Sequence, residues 1–315
     1  MVAATLAIEL LLMNAIGVFI RKSGLVNNEF TSRLTNLILK VCIPCLVFNS
    51  VSNSADFSLD LLANCGVGIL LSAVTTLVSF GIGQAFFALS RKSGTGRIIR
   101  YGLTFCHFSF MGIPVIEALF GSMGTFYYVS FFLLPVRIAY YGFSDALMTP
   151  RELQGEKKSA WQRTKGILLN PCMIALVLAL IFWIGGWKLP TALNYCVKSM
   201  SSLSSPLALL LCGMVLGGYN FKELVRIKYL LLPLLRVVLM PAIMLGISRI
   251  FVLLGAEKLL CDMMVIYAAL PVASLLPIYT IRFDPAPNNQ LNAAASSILS
   301  VLLSAITIPI WYMLL

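Results

Sequence analysis

The chain has 315 residues, of which 59% are hydrophobic and 11% are charged, and its mean hydropathy is +0.93. So few charges could not cover a water-soluble globule of this length, in which about a quarter of the residues are charged. The formal net charge of +11 comes from short basic clusters between apolar segments, which excludes a nucleic-acid-binding face and indicates the loops of a membrane protein.

Ten apolar segments are each long enough to cross the hydrocarbon core, which takes about 20 helical residues. In chain order the predicted helices are 3–20, 31–51, 61–89, 101–120, 124–148, 167–186, 191–217, 229–254, 260–281 and 290–314. The most polar stretch, residues 149–166, separates the fifth helix from the sixth. We therefore predict a first five-helix repeat at 1–148, a cytoplasmic connecting loop at 149–166 and a second repeat at 167–315.

The distribution of basic residues predicts the orientation. Lys and Arg are concentrated in the loops after helices one, three, five, seven and nine, whereas 51–60 and 121–124 contain none. Lys188 and Lys258 are exceptions. The odd-numbered loops are predicted to be cytoplasmic, with both termini outside the cell (inner) membrane. Because each half has an odd number of helices, any structural relation between the halves is an inverted repeat, which is typical of secondary transporters.

Prolines interrupt the predicted helices at matching places. Pro44 lies within helix two and Pro206 within its counterpart, helix seven, while Pro114 lies in helix four and Pro271 and Pro277 lie in its counterpart, helix nine. A proline frees backbone carbonyls, which at membrane depth are tolerated only against protein or a watery cavity. A single proline would indicate a kink. Matched interruptions in both halves predict a binding site.

Short motifs follow one another along nearly the whole chain. They are 39–48 (LKVCIPCLVF), 107–114 (HFSFMGIP), 118–121 (ALFG), 169–171 (LNP), 205–209 (SPLAL), 269–271 (ALP) and 303–309 (LSAITIP). This ordered set resembles the auxin efflux carrier family of transporters, in its compact bacterial form. The resemblance implies an all-α integral membrane protein with ten transmembrane helices, arranged as two inverted five-helix repeats. It also implies that proline-broken crossover helices four and nine meet near the binding site.

The resemblance further implies transport of organic anions, because the family includes plant auxin exporters and bacterial malate or malonate carriers. One residue departs from the family motif. His107, the single histidine of the chain, stands where the motif usually has Asn. The substrate and the coupling ion therefore do not carry over directly from relatives.

Polar residues at membrane depth are the remaining candidates for the site. Arg137 could bind a carboxylate with two parallel hydrogen bonds, the alternative being an internal partner such as Glu117 or a backbone carbonyl. The unperturbed pKa of histidine is near neutral, which would suit His107 for proton coupling, the alternative being a packing role. Arg236 is interpreted as structural, with its side chain reaching the cytoplasmic interface. The candidate substrate-binding residues are His107, Ser109, Gly112, Pro114, Arg137, Ser205, Pro206, Pro271, Ser274 and Pro277.

We therefore predict a secondary transporter that moves a small organic anion, malate-, malonate- or auxin-like, by alternating access. The alternatives are a sodium-coupled bile-acid-type symporter, a channel and an intramembrane enzyme. We predict no enzymatic activity, no cofactor and no metal site. The predicted partners are the anion and the lipid bilayer, with protons a candidate coupling ion, a homodimer a candidate assembly and nucleic acid excluded.

Overall fold

A computed structural model describes residues 2–53, 59–91, 93–149, 168–218, 226–273, 276–283 and 286–315, together with the isolated positions 161 and 165. Within these residues the regular structure is helical, apart from one isolated pair of bridged residues. The α-helices are α1 Val2–Lys22, α2 Asn28–Leu37, α3 Ile43–Ser52, α4 Leu59–Leu89, α5 Gly94–Thr104, α6 Gly112–Tyr127, α7 Leu133–Met148, α8 Pro171–Ile184, α9 Thr191–Ser202, α10 Ser204–Gly217, α11 Leu231–Leu234, α12 Met240–Leu253, α13 Lys258–Ala269, α14 Leu276–Phe283 and α15 Pro287–Leu314.

Six helical stretches of the described chain are long and apolar enough to cross a bilayer. They are Asn28–Ser52, Ala63–Leu89, Gly112–Ser144, Thr191–Gly217, Leu231–Leu253 and Asn288–Leu314. The helix α8 is apolar but shorter, with 14 residues. The predicted class, an all-helical integral membrane protein, is confirmed at this level.

The stretch Gly112–Ser144 is not one straight helix. A straight helix would hold residues 112 and 128 about 24 Å apart, yet the hydroxyl of Tyr128 lies beside Gly112 and donates over 3.0 Å to the carbonyl of Phe108, four residues before that glycine. Gly121 interrupts the helix with φ 65° and ψ −159°, a backbone conformation that is essentially restricted to glycine. The chain therefore reverses at Gly121, within the loop predicted between helices four and five.

In the described chain, three π-helical segments end two or three residues before a proline. They are Ile38–Cys42 before Pro44, Tyr128–Phe132 before Pro135, and Leu235–Leu239 before Pro241. A proline cannot donate the backbone hydrogen bond that continues the helix. Widening the preceding turn re-registers the helix and directs backbone carbonyls toward other donors.

The helices pack as two sets. In the first set, formed by α1–α3 and α8–α10, α1 packs along α10 while α3 packs on α8 and α9. In the second set, formed by α4–α7 and α11–α15, α4 packs on α5 and α7, α12 packs on α13, and α15 packs on α13 and α14. The two sets meet where α1 contacts α15 and where α3 contacts α6. Each set therefore combines helices from both halves of the sequence.

Candidate functional site

The two proline-interrupted helices of the second set meet at their breaks. The helix α5 ends at Thr104 and α13 ends at Ala269, and both continue as extended backbone. Cys106 and Val272 form an antiparallel bridge there. The amide of His107 donates to the carbonyl of Pro271 over 2.8 Å, and the amide of Ala273 donates to that of Phe105 over 3.2 Å. We name this contact, residues 105–107 with 271–273, the crossover.

Arg236 caps both helices that end at the crossover. Its side chain is fully buried. Its Nη1 donates to the carbonyl of Leu103 over 2.7 Å, its Nε to that of Leu270 over 3.0 Å, and its Nη2 to that of Tyr267 over 3.4 Å. A cation is favourable at helix C-termini, where carbonyls lack partners and carry partial negative charge. The structural interpretation of Arg236 agrees with these contacts, whereas the prediction that its side chain reaches the cytoplasmic interface is wrong.

Other side chains satisfy the remaining polar backbone near the crossover. The amide of Val272 donates to the hydroxyl of Ser300 over 3.1 Å, and Tyr128 caps the Phe108 carbonyl as described above. Gly112 leaves room for that tyrosine, because a Cβ at this position would lie 2.4 Å from the Tyr128 hydroxyl oxygen. Gly112, a predicted site residue, therefore also has a packing role, because any larger side chain would displace Tyr128.

A narrow crevice runs between the two helix sets, next to the crossover. Its walls are the beginning of α3, the beginning of α10 and the segment that leads into α6. About 170 Å³ of space lies between its walls, part of it open to solvent, and none of it is wide enough to hold a water molecule. The lining residues are Ile43, Leu46, Ser109, Ile113, Pro114, Ser204, Ser205 and Ala208.

A hydrogen bond crosses from one helix set to the other at this crevice. The hydroxyl of Ser205, on α10, donates to the Glu117 carboxylate, on α6, over 3.2 Å. Both residues lie toward the exposed surface. The contact joins the two sets through side chains alone, so a relative movement of the sets can break it without disturbing either backbone.

His107 lies at the crossover with a buried side chain, 7% exposed. Its Nε2 is 3.8 Å from the sulfur of Cys212, and its ring makes an edge contact with Phe110 at 5.6 Å between centroids. Cys212 belongs to α10 of the first set, so the imidazole lies at the boundary between the sets.

Arg137 lies on α7 and is 1% exposed. Its Nη1 donates over 3.0 Å to the carbonyl of Val129, in the π-helical segment before α7, and its Nη2 is buried without a partner in the described part of the chain. Of the internal partners predicted for Arg137, the backbone carbonyl is present. Glu117 instead accepts from Ser205.

The chain matches the model of the membrane transport protein family over residues 2–312. It belongs to this family of transporters. The predicted resemblance to the auxin efflux carriers is thereby confirmed. An uncharacterized transporter of Methanothermobacter thermautotrophicus is 24% identical, with 98% of this chain and 97% of the relative aligned. An uncharacterized transporter of Methanocaldococcus jannaschii is 22% identical, with 99% of this chain and 98% of the relative aligned.

The predicted site residues of the transporter fall into two groups and some isolated positions. Ser109, Pro114 and Ser205 line the crevice together, and Pro206 follows them in the first turn of α10. His107 and Pro271 are joined at the crossover by a backbone hydrogen bond. Arg137 lies apart from the crevice lining, Pro277 is buried in the first turn of α14, and Ser274 lies outside the described residues.

Sequence reasoning missed several residues of the site. Tyr128, Ser300 and Cys212 were not predicted, and neither were the apolar crevice residues Ile43 and Leu46. They look like ordinary membrane-helix residues, because their role depends on which distant segment they contact. Within the described residues, no group of three or more His, Cys, Asp and Glu side chains is placed to hold a metal ion.

Proposed function

We propose that this protein is a secondary transporter that moves a small organic anion, a malate-, malonate- or auxin-like carboxylate, by alternating access. The observation that carries the proposal is the crossover of two broken helices beside a crevice between two helix sets. Broken helices at membrane depth are a recurring device of transporters, because their ends present polar backbone groups to a substrate. Membership of a membrane transport family supports the same conclusion.

The proposal includes ten membrane crossings as two inverted five-helix repeats, residues 1–148 and 167–315 about the loop 149–166. The antiparallel pairing of Cys106 with Val272 supports it, because inversion makes equivalent helices run in opposite directions. Both termini lie outside the cell (inner) membrane in this arrangement. A homodimer is the proposed assembly, and His107, Ser109, Gly112, Pro114, Ser205, Pro206, Pro271, Ser274 and Pro277 are the proposed substrate-site residues.

Ser205→Phe is expected to abolish anion uptake, because the ring would obstruct the crevice between Ser109, Pro114 and Ala208. The measurement is uptake of radiolabelled malate, malonate and indole-3-acetate by proteoliposomes that contain the full chain. Ser202→Phe is the matched control, because Ser202 lies three residues earlier and is exposed, so its uptake should equal that of the wild type. Uptake by Ser205→Phe at the wild-type rate would show that the crevice is not on the transport path.

A sodium-coupled symporter is the alternative within transport. Comparing wild-type anion uptake in sodium and in potassium buffers, in the same vesicles, separates this proposal from that alternative.

We further propose protons as the coupling ion, with His107 as the residue that carries them. His107→Ala is expected to slow gradient-driven uptake about tenfold, equivalent to about 1.4 kcal/mol in the barrier. The measurement is uptake with and without an inward proton gradient. His107→Gln keeps a polar side chain beside Cys212 but cannot titrate, so it should lose the response to the gradient as well. A normal response in His107→Gln would assign His107 a packing role.

A further inference from the structure

Among the described residues, two arginines are fully buried, and they differ in how their charges are compensated. Arg137 is 1% exposed and Arg236 is 0% exposed. A guanidinium removed from water needs acceptors for its N–H groups, and an uncompensated one is costly. All three nitrogens of Arg236 donate to backbone carbonyls. Arg236 is therefore held by the protein itself.

Arg137 lacks such compensation. One of its nitrogens donates to the Val129 carbonyl over 3.0 Å, whereas Nη2 is buried and has no acceptor in the part of the chain that the structure describes. The ion pairs found among the described residues are Arg33 with Glu29 and Lys258 with Asp262, and neither involves Arg137. Within the described chain, a full positive charge thus lies at membrane depth with a single carbonyl as its partner.

Among the described residues, a helix N-terminus near Arg137 adds positive potential to that of the guanidinium itself. The guanidinium lies close enough to Cys172 and Tyr141 to act on both electrostatically. Cys172 is the second residue of α8, whose N-cap Asn170 accepts from the Cys172 amide over 3.0 Å, and Tyr141 reaches the same asparagine. The N-terminus of a helix carries partial positive charge. Arg137 therefore lies near the positive end of a 14-residue helix, and an anion is the group that complements both.

We infer that Arg137 and the first turn of α8 form an anion-binding site, and that the carboxylate of the transported substrate is the counter-ion of Arg137. The inference rests on the proposed function and adds the residue that selects for negative charge. Arg137 comes from the second helix set and α8 from the first, so the site lies between the sets. The conformation described here closes over it, and an anion reaches it when the sets separate.

The buried guanidinium of Arg137 lowers the stability of the protein without ligand, and binding of an anion offsets that loss. Residues kept for function rather than for folding can be replaced without loss of stability, and often with a gain. Arg137→Met, which keeps a similar side-chain shape and removes the charge, should therefore leave the fold intact. The same substitution at position 236 should not, because three carbonyls would lose their donors. The effect of Arg236→Met on stability is therefore the reference against which the effect of Arg137→Met is compared.

The test uses the detergent-purified full chain and measures apparent melting temperature without and with potassium salts of acetate, malate, citrate and indole-3-acetate. Malamide and indole-3-acetamide are the uncharged probes. The wild type should be stabilised by at least one of the four acids and by neither amide. Arg137→Gln should bind that acid with a Kd about tenfold or more higher, as expected for a lost hydrogen-bonded charge, and Arg137→Lys should recover part of the affinity. Arg137→Met should melt no lower than the wild type, whereas Arg236→Met should melt well below it.

Two results would overturn the inference while leaving the proposed function standing. One is an equal stabilisation of Arg137→Gln and the wild type by the same acid, which would place the carboxylate elsewhere. The other is a fall in the melting temperature of Arg137→Met as large as that of Arg236→Met, which would make Arg137 a structural residue. A wild-type protein that responds to none of the four acids would contradict both the inference and the proposed transport of anions.

Discussion

Arg236→Met is expected to lower the stability of the transporter more than any other single arginine substitution in the described chain. Each buried carbonyl that loses its donor costs about 1–3 kcal/mol. The substitution would strip donors from the carbonyls of Leu103, Tyr267 and Leu270, at the ends of two helices that meet at the crossover. Methionine fills much of the same volume, so the loss reports the hydrogen bonds rather than a cavity. The measurement is apparent melting temperature in detergent, together with the yield of monodisperse protein in size-exclusion chromatography.

The matched control for this prediction is Arg249→Met, on helix α12, which follows the π-helical segment that contains Arg236. Arg249 is exposed and donates over 3.2 Å to the carbonyl of Leu314, and exposed interactions of this kind contribute little to stability. Its melting temperature should stay near that of the wild type. Arg236→Lys should recover part of the loss, because an ammonium keeps the charge but cannot span three carbonyls. An unchanged melting temperature for Arg236→Met would show that the crossover does not depend on this cap.

Gly213→Val is expected to disrupt the contact between α1 and α10. A Cβ at Gly213 would lie 2.2 Å from the carbonyl oxygen of Asn14, and one at Gly17 would lie 2.3 Å from that of Leu210. Gly213 and Gly217 are four residues apart, the spacing with which small residues let two membrane helices approach closely. Overpacking costs about 1–3 kcal/mol where side chains can yield. Here the obstacle is backbone, so we expect a loss at the upper end of that range or beyond.

Gly246→Val is the control for Gly213→Val. Gly246 lies within α12, and a Cβ added there meets no atom within 4 Å. Both substitutions introduce the same β-branched side chain into an apolar helix, so their difference isolates the helix contact. Thermal unfolding of the two purified variants gives the measurement. If both variants melted at the same temperature, the close approach of α1 and α10 would not be a determinant of stability.

The sequence predicted much of the site through its prolines and its buried charges. The interruptions near Pro114 and Pro271 are present, and the segments around them are in direct contact. Ser109, Pro114 and Ser205 were predicted separately and line one crevice. The sequence could single out these residues because a missing backbone donor, or a polar side chain in an apolar helix, has a physical consequence wherever the helix lies.

The prediction for Arg236 shows where such reasoning ends. A long basic side chain near a helix end can reach the interface or turn inward, and both fit the same local sequence. The choice depended on acceptors supplied by Leu103 and Leu270, which are far from Arg236 along the chain. Glu117 is a similar case, since it was considered as a partner of Arg137 and instead accepts from Ser205.

By itself, the sequence determined that the chain is helical, lies in a membrane and belongs among transporters. Hydrophobic length and the scarcity of charge are local properties, and the ordered motifs were sufficient for the family. The tertiary structure decided that α5 and α13 meet at their ends. It also decided that all three nitrogens of the Arg236 guanidinium donate to backbone carbonyls, whereas Nη2 of Arg137 has no acceptor among the described residues. Those facts depend on which distant backbone groups become neighbours. No periodicity of apolar residues carries that information, because all membrane helices present similar apolar faces to one another and to lipid.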